Sequence, residues 1–81
     1  MDRNLYLKMC QKVAVLPTGV GGIKQEVPEE LCVYYKQIKY YPCGYMMMFD
    51  ETDGNAIHVA ILHDMNINSI CHVDLDKVFS S

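Results

Sequence analysis

The sequence predicts a single, mainly β domain, a small five-stranded antiparallel barrel or a strongly bent sheet. The chain has 81 residues, which is enough for one domain over residues 1–81. Short runs rich in β-branched and aromatic residues recur through its second half, and turn-forming residues separate them. The run Ala56–His63 is apolar on both faces, since odd and even positions alike, such as Val59 and Ala60, are hydrophobic. Such a strand is covered on both sides, by barrel closure or by another copy of the chain.

The N-terminal segment Asn4–Leu16 fits two structures. As a helix, it places Leu5, Met9 and Val13 on one stripe. As a strand, it carries apolar residues on alternate positions, and its β-branched end stops at Pro17. We favour the strand, and a helix here is the alternative that makes the domain α+β.

The middle of the chain predicts a hairpin after a short helical turn. Pro28 and the acids after it suit the start of a helical turn over Val27–Leu31. Lys36-Gln37 separates two β-rich runs, so we expect a tight hairpin turn there. Pro42 and Gly44 interrupt the next run and predict a bulge or bend.

The second half predicts two further connections between strands. Asp50–Asn55 combines acids with a glycine between two apolar runs, as a hairpin loop requires. The segment Asp64–Asn68 predicts a second loop, and Ser69–Val73 a short strand after it.

Composition points to a protein that binds another surface. The hydrophobic fraction is 51%, which is high for a domain with so little interior. Part of this apolar material is expected at a homo-oligomer contact or a partner surface. The net charge is −3 and the seven basic residues are scattered, so direct DNA or RNA binding is disfavoured.

Sequence signals for catalysis, metal binding and export are weak. The cysteines form no C-x₂₋₄-C pair, and no nucleophile has a supporting signature, so we expect no enzyme activity, cofactor or metal. No signal peptide and no long apolar stretch is present, which predicts a cytoplasmic protein without a membrane span and with reduced, mostly buried thiols.

Two candidate sites follow from the aromatic, acidic and methionine-rich segments. For a small nucleotide, stacking rings and groups for phosphate or ribose are expected from Tyr34, Tyr41, Tyr45, Lys24, Lys36 and Asn68. For a protein target, an acidic loop and an adaptable methionine face are expected from Asp50, Glu51, Asp53, Met46 and Met48.

The second half also resembles small uncharacterised proteins of Firmicutes and their phages. The residues that carry the resemblance, within Val33–Val78, are Tyr40-Tyr41-Pro42-x-Gly44-Tyr45, Phe49-Asp50, His58-x-Ala60-Ile61-Leu62-x-Asp64 and Asn68-Ser69-Ile70-x-x-Val73-x-Leu75. The resemblance implies a phage-type product in a bacterial host cell that inhibits a host defence protein or sequesters a nucleotide signal. The alternatives are a ligand-free structural or oligomerisation module and a metal-stabilised mini-domain.

Overall fold

One bent antiparallel sheet and one helix make up the described chain. A computed structural model describes residues 1–17, 27–64 and 66–80. Helix α1 (Arg3–Ala14) is followed by β1 (Val33–Tyr35), β2 (Ile38–Phe49), β3 (Ala56–Asp64), β4 (Ser69–Asp74) and β5 (Phe79–Ser80). Short 3₁₀ turns, Glu29–Leu31 and Leu75–Lys77, precede β1 and β5. The mainly β prediction is confirmed.

The sheet has the strand order β4-β3-β2-β1-β5 and is open. All of its pairings are antiparallel, and in the described residues β4 pairs only with β3 and β5 only with β1. It is therefore a bent sheet with two edges rather than a closed barrel. No helix in the described part of the chain is long and apolar enough to span a membrane.

The prediction of a strand over Asn4–Leu16 is wrong, and the helical alternative is confirmed. The side chain of Asp2 caps α1 by accepting a hydrogen bond from the Asn4 amide at 3.2 Å. Tyr6, Met9 and Val13 form its buried stripe, whereas Leu5 is exposed. The β-branched residues that favoured a strand are Val13, whose burial against the core outweighs its weak helix propensity, and Val15, which is the C-cap and lies outside the helix.

A β-bulge bends β2 at the predicted position. Pro42 pairs with Leu62 and Gly44 with Ile61, which leaves Cys43 as the extra residue. Proline has no amide hydrogen for the ladder. A Cβ on Gly44 would lie 3.2 Å from the Ile61 Cδ1 atom, so the glycine permits close approach of the strands.

Both predicted hairpin connections are present. Lys36 and Gln37 have φ angles of 51° and 66°, the left-handed values of a two-residue turn of type I′. The loop 50–55 joins β2 to β3 and contains Gly54 with φ 73°. The turn before β4 places Asn68 at φ 52°.

The core consists of two clusters of buried side chains. The larger joins α1 to the sheet and to the tail, and contains Tyr6, Met9, Val33, Tyr40, Ala60, Leu62, Val73, Leu75 and Val78. The smaller lies by the end of α1 and the first 3₁₀ turn, and contains Val13, Val27, Leu31, Cys32 and Tyr41. Adjacent tyrosines Tyr40 and Tyr41 thus belong to different clusters, as strand alternation requires.

Candidate functional site

The far end of the β2–β3 hairpin is apolar and exposed to solvent. We call residues 46–56 the hairpin tip. Its large side chains become more exposed toward the loop, from 39% for Met46 through 52% for Met48 to 65% for Phe49. Met46 and Met48 share one face because alternate residues of a strand point the same way, and Met47 and Phe49 share the other. The tip therefore presents apolar side chains on both faces.

The partner strand extends these two apolar faces. Met48 pairs with Ile57 and Met46 with Val59 on one side of the hairpin. Phe49 pairs with Ala56 on the other side. The doubly apolar character of β3 thus has two origins: core packing at Ala60 and Leu62, and an uncovered surface at its start.

The loop that closes the tip is acidic and locally ordered. The Asp50 carboxylate accepts a hydrogen bond from the Thr52 amide at 2.8 Å, and the Asp53 carboxylate accepts one from the Asn55 amide at 2.9 Å. A backbone hydrogen bond of 2.7 Å from Gly54 to Asp50 closes the loop. These contacts fix the positions of the carboxylates, and Glu51 is exposed beside them.

No lysine or arginine lies in the sequence between Lys39 and Lys77, so β3 and β4, which follow the loop in the chain, carry neither of these cations. The tip carries three carboxylates within four residues. A negative field next to an apolar surface favours a partner with positive charge around an apolar patch.

Two tyrosine–histidine pairs support the hairpin below the tip. Tyr45 and His58 stack with ring centroids 5.9 Å apart, and the Tyr45 hydroxyl hydrogen-bonds to Nδ1 of His58. Tyr41 and His63 meet edge to face at 4.5 Å, and the Tyr41 hydroxyl hydrogen-bonds to Nδ1 of His63. The pairs hold β2 against β3 on both sides of the bulge.

The His63 ring continues into the turn before β4. Its Nε2 atom lies 2.7 Å from the Asn68 side-chain oxygen. A single neutral tautomer satisfies both contacts, with Nε2–H donating to Asn68 and Nδ1 accepting from the Tyr41 hydroxyl. Burial raises the pKa of Tyr41, which keeps that hydroxyl protonated as a donor.

The third predicted tyrosine lies in a separate polar contact. The Tyr34 hydroxyl donates to Glu29 Oε1 at 2.6 Å, and Lys39 Nζ contacts Glu29 Oε2 at 2.6 Å. The hydrogen bond from Lys39, followed by that from Tyr34, lowers the pKa of Glu29. The hydrogen bond between Tyr34 and Glu29 raises the pKa of Tyr34.

The residues predicted for a nucleotide do not converge on one place. Tyr41 and Asn68 meet through His63, and Tyr41 is almost fully buried. Tyr45 packs against the larger core cluster, Tyr34 binds Glu29, and Lys36 lies over the Tyr35 ring. Lys24 lies outside the described residues.

The residues predicted for a protein target do share one structural element. Met46 and Met48 lie on the same face of β2, and Asp50, Glu51 and Asp53 follow directly in its loop. Sequence reasoning missed Met47 and Phe49, although the unbroken run Tyr45–Phe49 carried the signal for both faces. It also missed the pairing of His58 and His63 with tyrosines, because side-chain pairs across strands depend on a register that a single sequence does not give.

The thiols are free, and one of them is accessible. Cys32 is buried, Cys10 and Cys71 are half-buried, and Cys43 at the bulge is exposed. The expectation of mostly buried thiols is therefore met fully only at Cys32. Among residues 1–17, 27–64 and 66–80, no three His, Cys, Asp or Glu side chains are placed to hold a metal ion.

The chain was compared with protein-family models, with curated proteins and with solved structures. None of the three comparisons finds a match. The geometry of the described residues is therefore the basis for assigning a function.

Proposed function

We propose that this chain is a non-enzymatic binding protein of phage type that acts stoichiometrically in the cytoplasm of a bacterial host. The hairpin tip is its contact surface, and its partner is a host defence protein that it inhibits. The partner offers an apolar groove bordered by lysines or arginines.

The observation that carries the proposal is the exposed apolar tip. Water contacts Met47, Met48 and Phe49 although each is large and hydrophobic. Burying such a side chain stabilises a complex by roughly 1.5–3 kcal/mol, before the cost of immobilising it. Methionine also adapts its shape to irregular surfaces, which suits a protein that covers another.

The acidic loop supports the choice of partner. Its ordered carboxylates lie next to the apolar faces, so a basic rim on the partner would meet them while the methionines fill the groove. Sequestration of a nucleotide through the predicted tyrosines has less support, because those rings are buried or already hydrogen-bonded.

Site-specific photo-crosslinking in infected cells tests the proposal. A benzophenone side chain placed at Met48 is expected to capture one defined host protein. The same group at Gln11, an exposed residue of α1, is the matched control and is expected to capture nothing specific. The captured protein is then purified and titrated with the chain, and a one-to-one complex is expected.

Variants of the tip then separate its two contributions. Met46→Ser with Met48→Ser is expected to weaken the complex at least about tenfold, mainly through faster dissociation. Asp50→Lys with Asp53→Lys is expected to slow association and to reduce its dependence on salt. Equal capture from Met48 and Gln11, or affinity unchanged by the methionine variant, would contradict the proposal.

The two sheet edges favour a second candidate function, a ligand-free oligomerisation module. Edge strand β4 carries Ile70, which is 60% exposed, and edge strand β5 carries Phe79, which is 65% exposed. An edge presents unpaired backbone groups that a neighbouring copy can pair with. This candidate predicts assembly without any host partner.

A further inference from the structure

An open groove lies at the opposite end of β2 from the hairpin tip. It has a volume of about 440 Å³ and is lined by Tyr35, Lys36, Asp76, Lys77 and Phe79. The type I′ turn after β1 forms one side, and the 3₁₀ turn before β5 forms the other. Its volume lies within the range of about 300–1,000 Å³ that is usual for small-molecule sites.

The groove has two lysines and one carboxylate among its lining side chains. Lys36 and Lys77 are exposed, and neither forms an ion pair in the described structure, whereas Lys39 is bound to Glu29. The Lys36 ammonium lies 5.3 Å from the centroid of the Tyr35 ring, which orients the lysine over an aromatic wall. Two cations separated by one groove suit a compact anion such as a phosphate group.

The other lining groups indicate what the anion is attached to. Phe79 is 65% exposed, and an exposed ring beside cations is a stacking platform for a planar group. Asp76 adds a carboxylate that accepts hydrogen bonds from hydroxyl or amino groups. A hydrogen bond of 3.1 Å from its amide to the Asp74 side chain fixes its turn. Phosphate, planar ring and hydroxyl groups occur together in a nucleotide.

We propose that this groove binds a single small nucleotide, with the phosphate on Lys36 and Lys77, the base on Phe79 and the ribose or base amine on Asp76. One compact ligand is favoured over a nucleic-acid strand because the groove has only two lysines and the whole chain has a net charge of −3. This site shares only Lys36 with the residues expected from the sequence.

The groove does not depend on the protein-binding tip. The turn at Lys36 and the tip lie at opposite ends of the 12-residue strand β2 in a molecule 45 Å long. Loss of one activity therefore leaves the other intact, and variants of the tip are expected to retain nucleotide binding.

Titration of the full chain with adenosine monophosphate, followed by NMR, tests the proposal. Saturable shifts are expected at Tyr35, Lys36, Lys77 and Phe79. Adenosine and inorganic phosphate are each expected to bind at least about tenfold more weakly, since adenosine lacks the phosphate and inorganic phosphate lacks the base and ribose. Lys77→Ala and Phe79→Ala are each expected to weaken binding by about tenfold, which corresponds to about 1.4 kcal/mol.

Matched controls keep the test specific. Lys8→Ala and Lys12→Ala remove exposed lysines of α1 and are expected to change nothing. Lys36→Arg is expected to retain binding that Lys36→Ala loses. Absence of saturation at millimolar nucleotide, shifts confined to other residues, or phosphate binding as tightly as the nucleotide would overturn the proposal. A short RNA strand that binds more tightly through the same lysines would overturn its single-ligand form.

Discussion

At the scale of single residues, Tyr6 joins helix α1 to the bulged part of the sheet. It is fully buried, and its hydroxyl lies 2.6 Å from the Gly44 carbonyl oxygen and 3.1 Å from that of Ile61. The bulge at Gly44 interrupts the hydrogen-bond ladder between β2 and β3. The Tyr6 hydroxyl supplies a hydrogen-bond donor for the carbonyl oxygens at this point. Burial raises the pKa of Tyr6, so it remains a donor throughout the ordinary pH range.

Replacing this hydroxyl tests whether it holds α1 to the bulge. We expect Tyr6→Phe to lower the free energy of unfolding by about 1–3 kcal/mol, because a buried carbonyl loses its donor. Urea titration followed by circular dichroism measures the change. The control is Tyr34→Phe, which removes an exposed hydroxyl bound to Glu29 and is expected to leave the free energy of unfolding nearly unchanged. Equal effects of the two substitutions would contradict this role for Tyr6.

The Glu29 carboxylate provides a prediction about pH at the same scale. Lys39 and Tyr34 hold its pKa below the ordinary value in the folded chain. The charged form is therefore favoured by folding, and its small stabilising effect is present above the ordinary pKa and is lost as the pH falls through the folded pKa. We expect Lys39→Met to raise the pKa of Glu29, as followed by NMR from pH 7 downward. Lys36→Met is the control, and a pKa unchanged by Lys39→Met would refute the assignment.

At the scale of elements, the two-residue turn between β1 and β2 contains two adjacent residues in the left-handed region. Lys36 and Gln37 both adopt left-handed φ angles, at a cost of roughly 1–2 kcal/mol for each side chain compared with glycine. Asparagine and glycine are the residues that this turn type prefers. The presence of Lys36 at a position that strains its backbone is consistent with a role for its charge in the adjacent groove.

Replacement of the turn tests this interpretation. We expect Lys36→Asn with Gln37→Gly to raise the free energy of unfolding by at least about 1 kcal/mol, because the strain relieved at two positions exceeds the conformational entropy that glycine adds to the unfolded chain. The same variant is expected to weaken binding of adenosine monophosphate, since the lysine is lost. Thermal unfolding and the nucleotide titration measure the two effects. Lower stability would show that the native turn is unstrained.

The elements also show how far a single sequence predicts this fold. The turn at Lys36-Gln37, the bulge near Gly44 and the loop 50–55 were predicted because their signals are local. The segment Asn4–Leu16 was assigned to a strand because its apolar spacing fits a helix and a strand alike. The residue that distinguishes the two, the N-cap Asp2, lies before this segment. Strand β5 was not predicted, since its two residues pair only through contact with β1.

Whether the residues of a candidate site can be grouped from the sequence depends on the same distinction between local and distant contacts. The tip residues lie together because they are consecutive in β2 and its loop. Tyr41 and Tyr45 lie apart, since the bulge changes the alternation of β2 between them and places them in different surroundings. The groove joins residues 35–36 to residues 76–79 across the β1–β5 pairing, which no local pattern indicates.

At the scale of the whole molecule, the distribution of apolar surface explains the high hydrophobic fraction. The two core clusters contain most of the buried hydrophobic side chains, but exposed apolar side chains remain at the tip and on both sheet edges. Edges β4 and β5 lie on different sides of the sheet, so pairing between them is head to tail. A repeated contact of this kind forms a closed ring if its rotation closes.

The β4 edge is therefore the place to test the proposed homo-oligomer. We expect the purified chain to show a mass that rises with concentration, and Ile70→Lys to shift it toward the monomer, because a charge on an edge strand opposes pairing with another strand. Light scattering across a concentration series measures the mass. Ile67→Lys is the matched control, since Ile67 is also an exposed isoleucine, at 71%, but lies in the turn before β4. Met48→Lys at the tip is expected to leave the mass unchanged, which separates assembly from host-protein binding. A chain that remains monomeric at high concentration would exclude assembly through the edges, and the apolar side chains on β4 and β5 would then need another partner.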